Sequence, residues 1–222
     1  MKEVTGLLVM DVDGTLIQQE GIDLLAQEAG VGQKVAEITA QAMNGELDFK
    51  ASLQARVALL KGLEASIFPK IIEQMDVTPG AKTLITELHQ RGYKVGLVSG
   101  GFHEVIDPIA RSLGIDLVRA NRLQTFDGRL TGKVLGEIVT PERKKDSLLT
   151  WARENHIQRS QTIAMGDGAN DLPMIETAGI GIAFMAKPIV AERAPYRIET
   201  SDLSLVLEIL DQHRKETACI SY

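Results

Sequence analysis

Four short apolar runs, each ending at Gly, Asp or Ser, constrain this chain more than any other feature. They are "LLVMD" (7–11), "KVGLVSGG" (94–101), "QTIAMGDG" (161–168) and "GIGIAFMAK" (179–187). The runs are continuous rather than alternating, which suits strands covered on both faces. Between them lie helical patterns such as "AKTLITELHQRG" (81–92), with Leu84, Ile85 and Leu88 on one face and Gly92 as a stop.

Strands that alternate with helices in this way predict an α/β fold, a Rossmann-like parallel sheet with helices on both faces. Residues 18–77 interrupt the alternation. They are rich in Ala, Leu, Gln, Glu and Lys and carry helical stripes at Val31, Val35 and Ile38, and again at Leu53, Val57 and Leu60. "QMDVTPGAK", with Pro79 and Gly80, marks the return to the sheet. The expected organisation is a core domain of residues 1–17 and 78–210, an all-helical cap of residues 18–77 inserted after the first strand, and a polar tail, 211–222. A cap beside a strand-end site points to a reaction kept from water, with opening and closing as part of its cycle.

In such sheets ligands bind at the carboxyl ends of the strands. Asp11, Ser99 and Asp167 each follow directly after a strand, so three distant segments meet at one edge. Asp11 and Asp13 stand one residue apart in "GLLVMDVDGTLIQQEG" (6–21). Their repulsion is answered most simply by a hard cation such as Mg²⁺, which prefers carboxylate oxygens and needs few protein ligands. A calcium loop of the EF-hand type fails on register, since its Gly falls on Leu16 and its Glu on Ile22. A polar turn around Gly14 is the plain alternative. In "LVSGGFHE", Ser99 and the N–H groups of the glycine turn suit phosphate oxygens, or simply join strand to helix. In "AMGDGAND", Asp167 and Asp171 are spaced for metal ligation, while Asp171 also fits the N-cap of the helix that follows.

Together these segments resemble the haloacid-dehalogenase-like superfamily of phosphotransferases. Its signature is D-x-D-G-T after a strand, then S/T-G-G, a Lys, and G-D-x-x-x-D; here these stand in order as "DVDGT", "SGG", a Lys in "ERKKD" and "GDGAND". The resemblance extends over roughly residues 6–210. The cap and its surroundings are similar to the phosphoserine phosphatase family in "LIQQEGIDLLAQEAG", "AMNGELDFKASLQARVALLKGL", "ANRL", "DGRLTG" and "MAKP". One departure is Gly14, where several members of that family carry Ser.

The resemblance implies a Mg²⁺-dependent phosphomonoester hydrolase acting on phosphoserine through an aspartyl-phosphate, the last step of serine biosynthesis. It implies Asp11 as nucleophile, Asp13 as acid and base, and Asp11, Asp13 and Asp167 as the metal site. Glu20, Phe49 and Arg56 would select the substrate. Ser99, Gly100 and Lys144 would hold the phosphoryl group, and Asn170 would touch substrate or phosphate. Lys145 is the local rival of Lys144, and motif register favours Lys144. Transfer to another alcohol such as homoserine, a different small phosphomonoester, and a phospho-aspartate signalling switch are the competing functions.

Substrate choice has a physical argument of its own. If Asp48 caps a helix starting at Phe49, then Phe49 and Arg56 lie about 20° apart on the helical wheel. Arg56 then either snorkels to water or holds a carboxylate bidentately, while Glu20 receives an ammonium. Phosphate, carboxylate and ammonium together describe an amino-acid phosphate.

Composition narrows the partners. A net charge of -6, a pI near 5.3 and no basic stretch longer than "RKK" argue against nucleic acid and anionic membranes. The single cysteine, Cys219, fits a reducing compartment. No apolar run approaches the roughly 18 residues of a spanning helix, and the run near the amino terminus is too short for a signal peptide. A cytoplasmic address is expected. The four histidines show no metal-ligand spacing, and Trp151 reads as packing.

Overall fold

The computed structural model describes residues 4–43 and 46–220. Strand β1 (Gly6–Met10) is buried along its whole length. It pairs in parallel with β2 (Tyr93–Phe102), which pairs in parallel with β3 (Leu117–Phe126). β3 turns into β4 (Arg129–Leu135) as an antiparallel hairpin. On the other side of β1 come β5 (Thr162–Gly166), β6 (Ile180–Phe184) and β7 (Tyr196–Ile198), all parallel. The seven strands run in the order β4-β3-β2-β1-β5-β6-β7.

Successive β1 side chains point to opposite faces, and two cores result. Leu8 and Met10 join one with Val95, Leu97 and Phe102, while Leu7 and Val9 join the other with Leu148, Trp151 and Met174. The continuous apolar reading of β1 is thus explained by burial on both sides. Replacing Leu8 by Ala would leave a cavity costing about 2–5 kcal/mol.

The four expected strands lie where the apolar runs place them. β3, β4 and β7 were not anticipated as strands, and β4 makes the sheet mostly rather than wholly parallel. The hairpin sits at the sheet edge with exposed residues along its length, so it lacks the continuous apolar signature.

Among the described residues, four α-helices lie between the first strand and residue 77: α1 (Gly21–Glu28), α2 (Gly32–Met43), α3 (Phe49–Ala58) and α4 (Phe68–Glu73). Asp48 caps α3, its side chain accepting the Ala51 N–H at 2.7 Å. At the neck of this segment Ile17 and Val77 pair. Beside them the Gln19 amide donates to Asp76 Oδ2 at 2.7 Å and accepts the Asp76 N–H at 2.8 Å. The hairpin also meets this segment through its backbone. Gly62 N–H donates to Leu130 O, Leu130 N–H to Leu63 O and Ala65 N–H to Gly128 O, each at 2.8 Å.

The remaining helices are α5 (Ala81–Gln90), α6 (His103–Leu113), α7 (Pro141–Glu154), α8 (Leu172–Thr177), α9 (Pro188–Arg193) and α10 (Val206–Ile220). Helix α10 continues through most of the expected tail; the side chain of Cys219 lies outside the described residues. Trp151 packs on β2, where a Cβ at Gly96 would lie 2.7 Å from its ring, and the Arg119 guanidinium lies 5.7 Å from the ring centroid. Among the described residues no helix is long and apolar enough to cross a membrane.

Candidate active site

The carboxyl ends of β1, β2 and β5 open into one cleft of about 620 Å³ whose opposite wall comes from α1–α3. Asp11 follows β1 directly. Its Oδ1 accepts the Val12 N–H at 2.7 Å, and its Oδ2 meets Lys144 Nζ at 2.7 Å, so the carboxylate is oriented from two sides.

Lys144 arrives on α7, whose start is set by Thr140 accepting the Arg143 N–H and by Pro141 in the first turn. The buried face of α7 runs Lys144, Ser147, Leu148, Trp151, Ala152. Helical spacing thus puts Lys144 on the inner stripe and leaves Lys145 only partly buried. Lys144 Nζ also donates to Asp171 Oδ1 at 2.7 Å. Burial works against this ammonium, yet Asp11 and Asp171 outweigh it and hold the Lys144 pKa above its ordinary value.

Asp13 is held differently. Its Oδ1 accepts the Gly21 N–H at 2.8 Å, in the first turn of α1, and its Oδ2 accepts the Ser99 hydroxyl at 3.1 Å. Desolvation first and the Asp11 charge second push Asp13 up to about 6, against the lowering effects of Gly21, Ser99 and Lys144. Ser99 in turn accepts the Gly101 N–H at 2.7 Å. A Cβ at Gly101 would stand 2.7 Å from Asp13 Oδ2, so the close approach of this turn requires glycine.

Asp11, Asp167 and Asp171 each offer an oxygen within 4.8 Å of the others. Three buried or half-buried carboxylates suit a hard divalent cation. Of the expected Asp11, Asp13 and Asp167, this group contains Asp11 and Asp167, joined by Asp171, while the two oxygens of Asp13 accept from Gly21 N–H and the Ser99 hydroxyl. Burial, then the Asp11 charge, raises Asp167 and pushes Asp171 up to about 8. Asp171 sits at the N-cap position of α8 without capping it; its Oδ2 accepts the Gly168 N–H at 3.1 Å and its Oδ1 faces Lys144. Gly14 has φ +71°, and a Cβ there would lie 3.0 Å from the Asp167 carboxyl carbon, which accounts locally for glycine in "DVDGT".

On the opposite wall stand Glu20, Phe49 and Arg56. Glu20 occupies the N-cap position of α1 without capping it, leaving its carboxylate turned to other uses. Solvent reaches Glu20 through the open cleft, but desolvation, followed by Asp13, Asp11, Asp167 and Asp23, pushes it up to about 8. Arg56 is lowered by burial, while Glu20, Asp23 and Asp13 act in the opposite sense. Phe49 reaches across to the turn of Ser99, Gly100 and Gly101, where a Cβ at Gly100 would meet its Cζ at 3.1 Å.

All ten expected site residues surround this cleft. Asp11, Asp13, Glu20, Phe49, Arg56, Gly100 and Asn170 line it, with Asp167 beside them, while Ser99 and Lys144 are fully buried beneath its floor. The sequence reading passed over three participants. Lys187 lines the cleft just past the end of β6, the position that the strand-end rule selects. Ser52 lines it with a buried Oγ that has no hydrogen-bond partner among the described residues. Asn121, buried on β3, bonds to Gly100.

This geometry coincides with a known group of enzymes. Residues 8–176 match the family model of the haloacid dehalogenase-like hydrolases. The chain is 64% identical over 212 residues to a phosphoserine phosphatase of Streptococcus thermophilus, covering 96% of this chain and 99% of the relative. A solved phospho-aspartyl intermediate analogue of phosphoserine phosphatase superposes with a TM-score of 0.87 at 44% identity, over 93% of this chain and 99% of the other. A substrate-bound phosphoserine phosphatase complex superposes equally well, TM-score 0.87 at 43% identity, over 94% and 99% of the two chains. The chain belongs to the haloacid dehalogenase-like hydrolases, within their phosphoserine phosphatase branch.

Proposed function

We propose that this protein hydrolyses O-phospho-L-serine to L-serine and phosphate, with Asp11 as the nucleophile and Asp13 as the acid and base. The observation that carries the reading is the pairing of two differently held carboxylates. Asp11 is fixed by Val12 N–H and buried Lys144, while Asp13, pushed up to about 6, stands one residue on beside Ser99. Neighbouring acids whose environments separate their roles are the mark of an acid–base pair.

Asp11 attacks phosphorus as the bond to the serine oxygen breaks, and Asp13 delivers a proton to that oxygen. Asp13 then takes a proton from the water that attacks the aspartyl-phosphate, which frees phosphate and restores both carboxyl groups. Lys144, Ser99 and the Gly100 N–H hold the transferring oxygens, because phosphoryl transfer depends mainly on positioning and charge stabilisation. Asp11, Asp13 and Asp167, with Asp171 beside them, would hold Mg²⁺, which would supply charge neutralisation for the incoming phosphate.

The cap side reads the amino-acid end of the substrate. Arg56 takes the carboxylate, Glu20 the ammonium, and Phe49 closes over the phosphoryl site. Residues 18–77 serve as the cap, hinged at the paired Ile17 and Val77 and moving against a core of 1–17 and 78–210. The net charge of -6 fits a small-molecule substrate and a cytoplasmic setting rather than nucleic acid.

Phosphate release with Mg²⁺ from phosphoserine, phosphoethanolamine and a sugar phosphate tests this reading, with homoserine offered as an acceptor. Strong preference for phosphoserine, lost on Arg56→Ala while phosphoethanolamine turnover is spared, supports it. Equal losses on both esters would make Arg56 structural, and phosphohomoserine formation would make the protein a transferase.

A further inference from the structure

The buried amide of Asn121, on β3, lies at the end of an unbroken line of hydrogen bonds that reaches Asp13. Asn121 is 1% exposed and belongs to no carboxylate cluster. Its Oδ1 accepts the Val139 N–H at 2.9 Å, in the segment leading into α7. Its Nδ2 donates to the Gly100 carbonyl at 2.7 Å. That carbonyl shares a peptide plane with the Gly101 N–H, which donates to Ser99 Oγ at 2.7 Å. Ser99 Oγ then donates to Asp13 Oδ2 at 3.1 Å.

Each link constrains the next. Two glycines in succession leave a peptide unit with no side chains to hold it, and glycine has the widest choice of backbone conformations. An anchored carbonyl on one side of that planar unit fixes the direction of the N–H on the other. With one Ser99 lone pair taken by Gly101, the Ser99 proton turns outward, toward Asp13 or toward a phosphoryl oxygen in its place. The buried donor and acceptor of Asn121 are both used, and losing either leaves an unpaired group in the interior. The Val139 link ties the same amide to the approach of α7, and so to the helix that carries Lys144.

We infer that Asn121 is a positioning residue: it locks the Gly100–Gly101 peptide so that Ser99 and the Gly100 N–H present their donors to the phosphoryl group. The inference rests on the proposed phosphate-holding role of Ser99 and Gly100, and it does not depend on which phosphate ester is the substrate.

Two variants test it. Asn121→Asp keeps an acceptor for Val139 N–H and removes the donor to Gly100, while Asn121→Ala removes both. The readouts are kcat and KM with phosphoserine, the competitive inhibition constant of inorganic phosphate, and Tm. Leu210→Ala, a cavity variant on α10 remote from the cleft, serves as a destabilised control. The expected result, well below each Tm, is a fall in kcat of about tenfold or more, with a several-fold weaker inhibition by phosphate and the control unchanged in both. Phosphate inhibition within twofold of the parent in both Asn121 variants, or losses equal to those of Leu210→Ala at matched stability, would overturn the inference. If neither variant folds, titration of the isotope-labelled parent with phosphate decides. The Asn121 side-chain amide resonance should shift together with the Gly100 and Gly101 amides, and an unmoved Asn121 resonance contradicts the proposal. A parent inactive on phosphoserine that still binds phosphate through this line would refute the substrate reading and leave the inference standing.

Discussion

Lys144 Nζ lies 2.7 Å from Asp11 Oδ2 with its side chain entirely buried, so the proposed nucleophile and its cation share one desolvated site. Removing the ammonium would leave Asp11 and Asp171 facing each other uncompensated. Breaking a buried pair in this way costs about 3–5 kcal/mol. Lys144→Ala should therefore lower Tm as well as kcat, whereas Lys145→Ala should change neither appreciably; denaturation curves of the two variants check the contrast.

Asp13→Asn keeps an oxygen that can accept from Gly21 N–H or Ser99, but it cannot release or take up a proton. The fold should survive. Turnover should fall by roughly 10²- to 10⁴-fold, the usual share of a general acid. Steady-state kinetics with a spectroscopic check of folding make the comparison, and near-normal turnover would remove Asp13 from the role.

With a divalent cation bound among the converging carboxylates of Asp11, Asp167 and Asp171, the native state should gain stability. Mg²⁺ at about a hundred times its dissociation constant should stabilise the native state by about 2.7 kcal/mol. Treatment with a chelator should abolish phosphate release and lower Tm, and added Mg²⁺ should restore both. In Asp167→Asn the Mg²⁺-dependent rise in Tm should be largely lost.

The acidic cleft also sets a pH trend. Asp13 is pushed up to about 6, and Glu20 and Asp171 to about 8, from ordinary values of 3.8 for aspartate and 4.5 for glutamate. The folded state therefore binds these protons more tightly than the unfolded chain. Their stabilising contribution is complete below pH about 4 and is lost as pH rises through 6 to 8. Lys144, raised from 10.5, keeps its proton throughout that window and adds no slope. In metal-free protein Tm should fall between pH 5 and 8.5, less steeply in Glu20→Gln. A rising Tm over that range would contradict the assignment.

Much of this arrangement was legible before the structure because β1, β2, β5 and β6 are buried on both faces and so read as continuous apolar runs. Asp11, Ser99 and Asp167 followed from the strand ends alone, and Asp48 from its capping position. The β3–β4 hairpin was passed over because half-exposed edge strands mix apolar and polar residues. Its turn did carry a signal: Asp127 and Gly128 in "FDGR" both adopt positive φ, 47° and 72°, as a two-residue hairpin turn demands. Asn121 and the approach of Asp171 to Asp11 were beyond reach, since they depend on which way side chains turn once distant segments meet. Only tertiary packing brings Lys144 to Asp171, 27 residues on.

The most direct test of the account is acid-quenched turnover of ³²P-labelled phosphoserine in the presence of Mg²⁺, with the parent, Asp13→Asn and Asp11→Asn compared. Label bound to the peptide carrying Asp11 in the parent, accumulating when Asp13→Asn slows its release, and absent from an inactive Asp11→Asn is the predicted result. Phosphate release at the parent rate by Asp11→Asn, or label on a peptide that lacks residue 11, would contradict it.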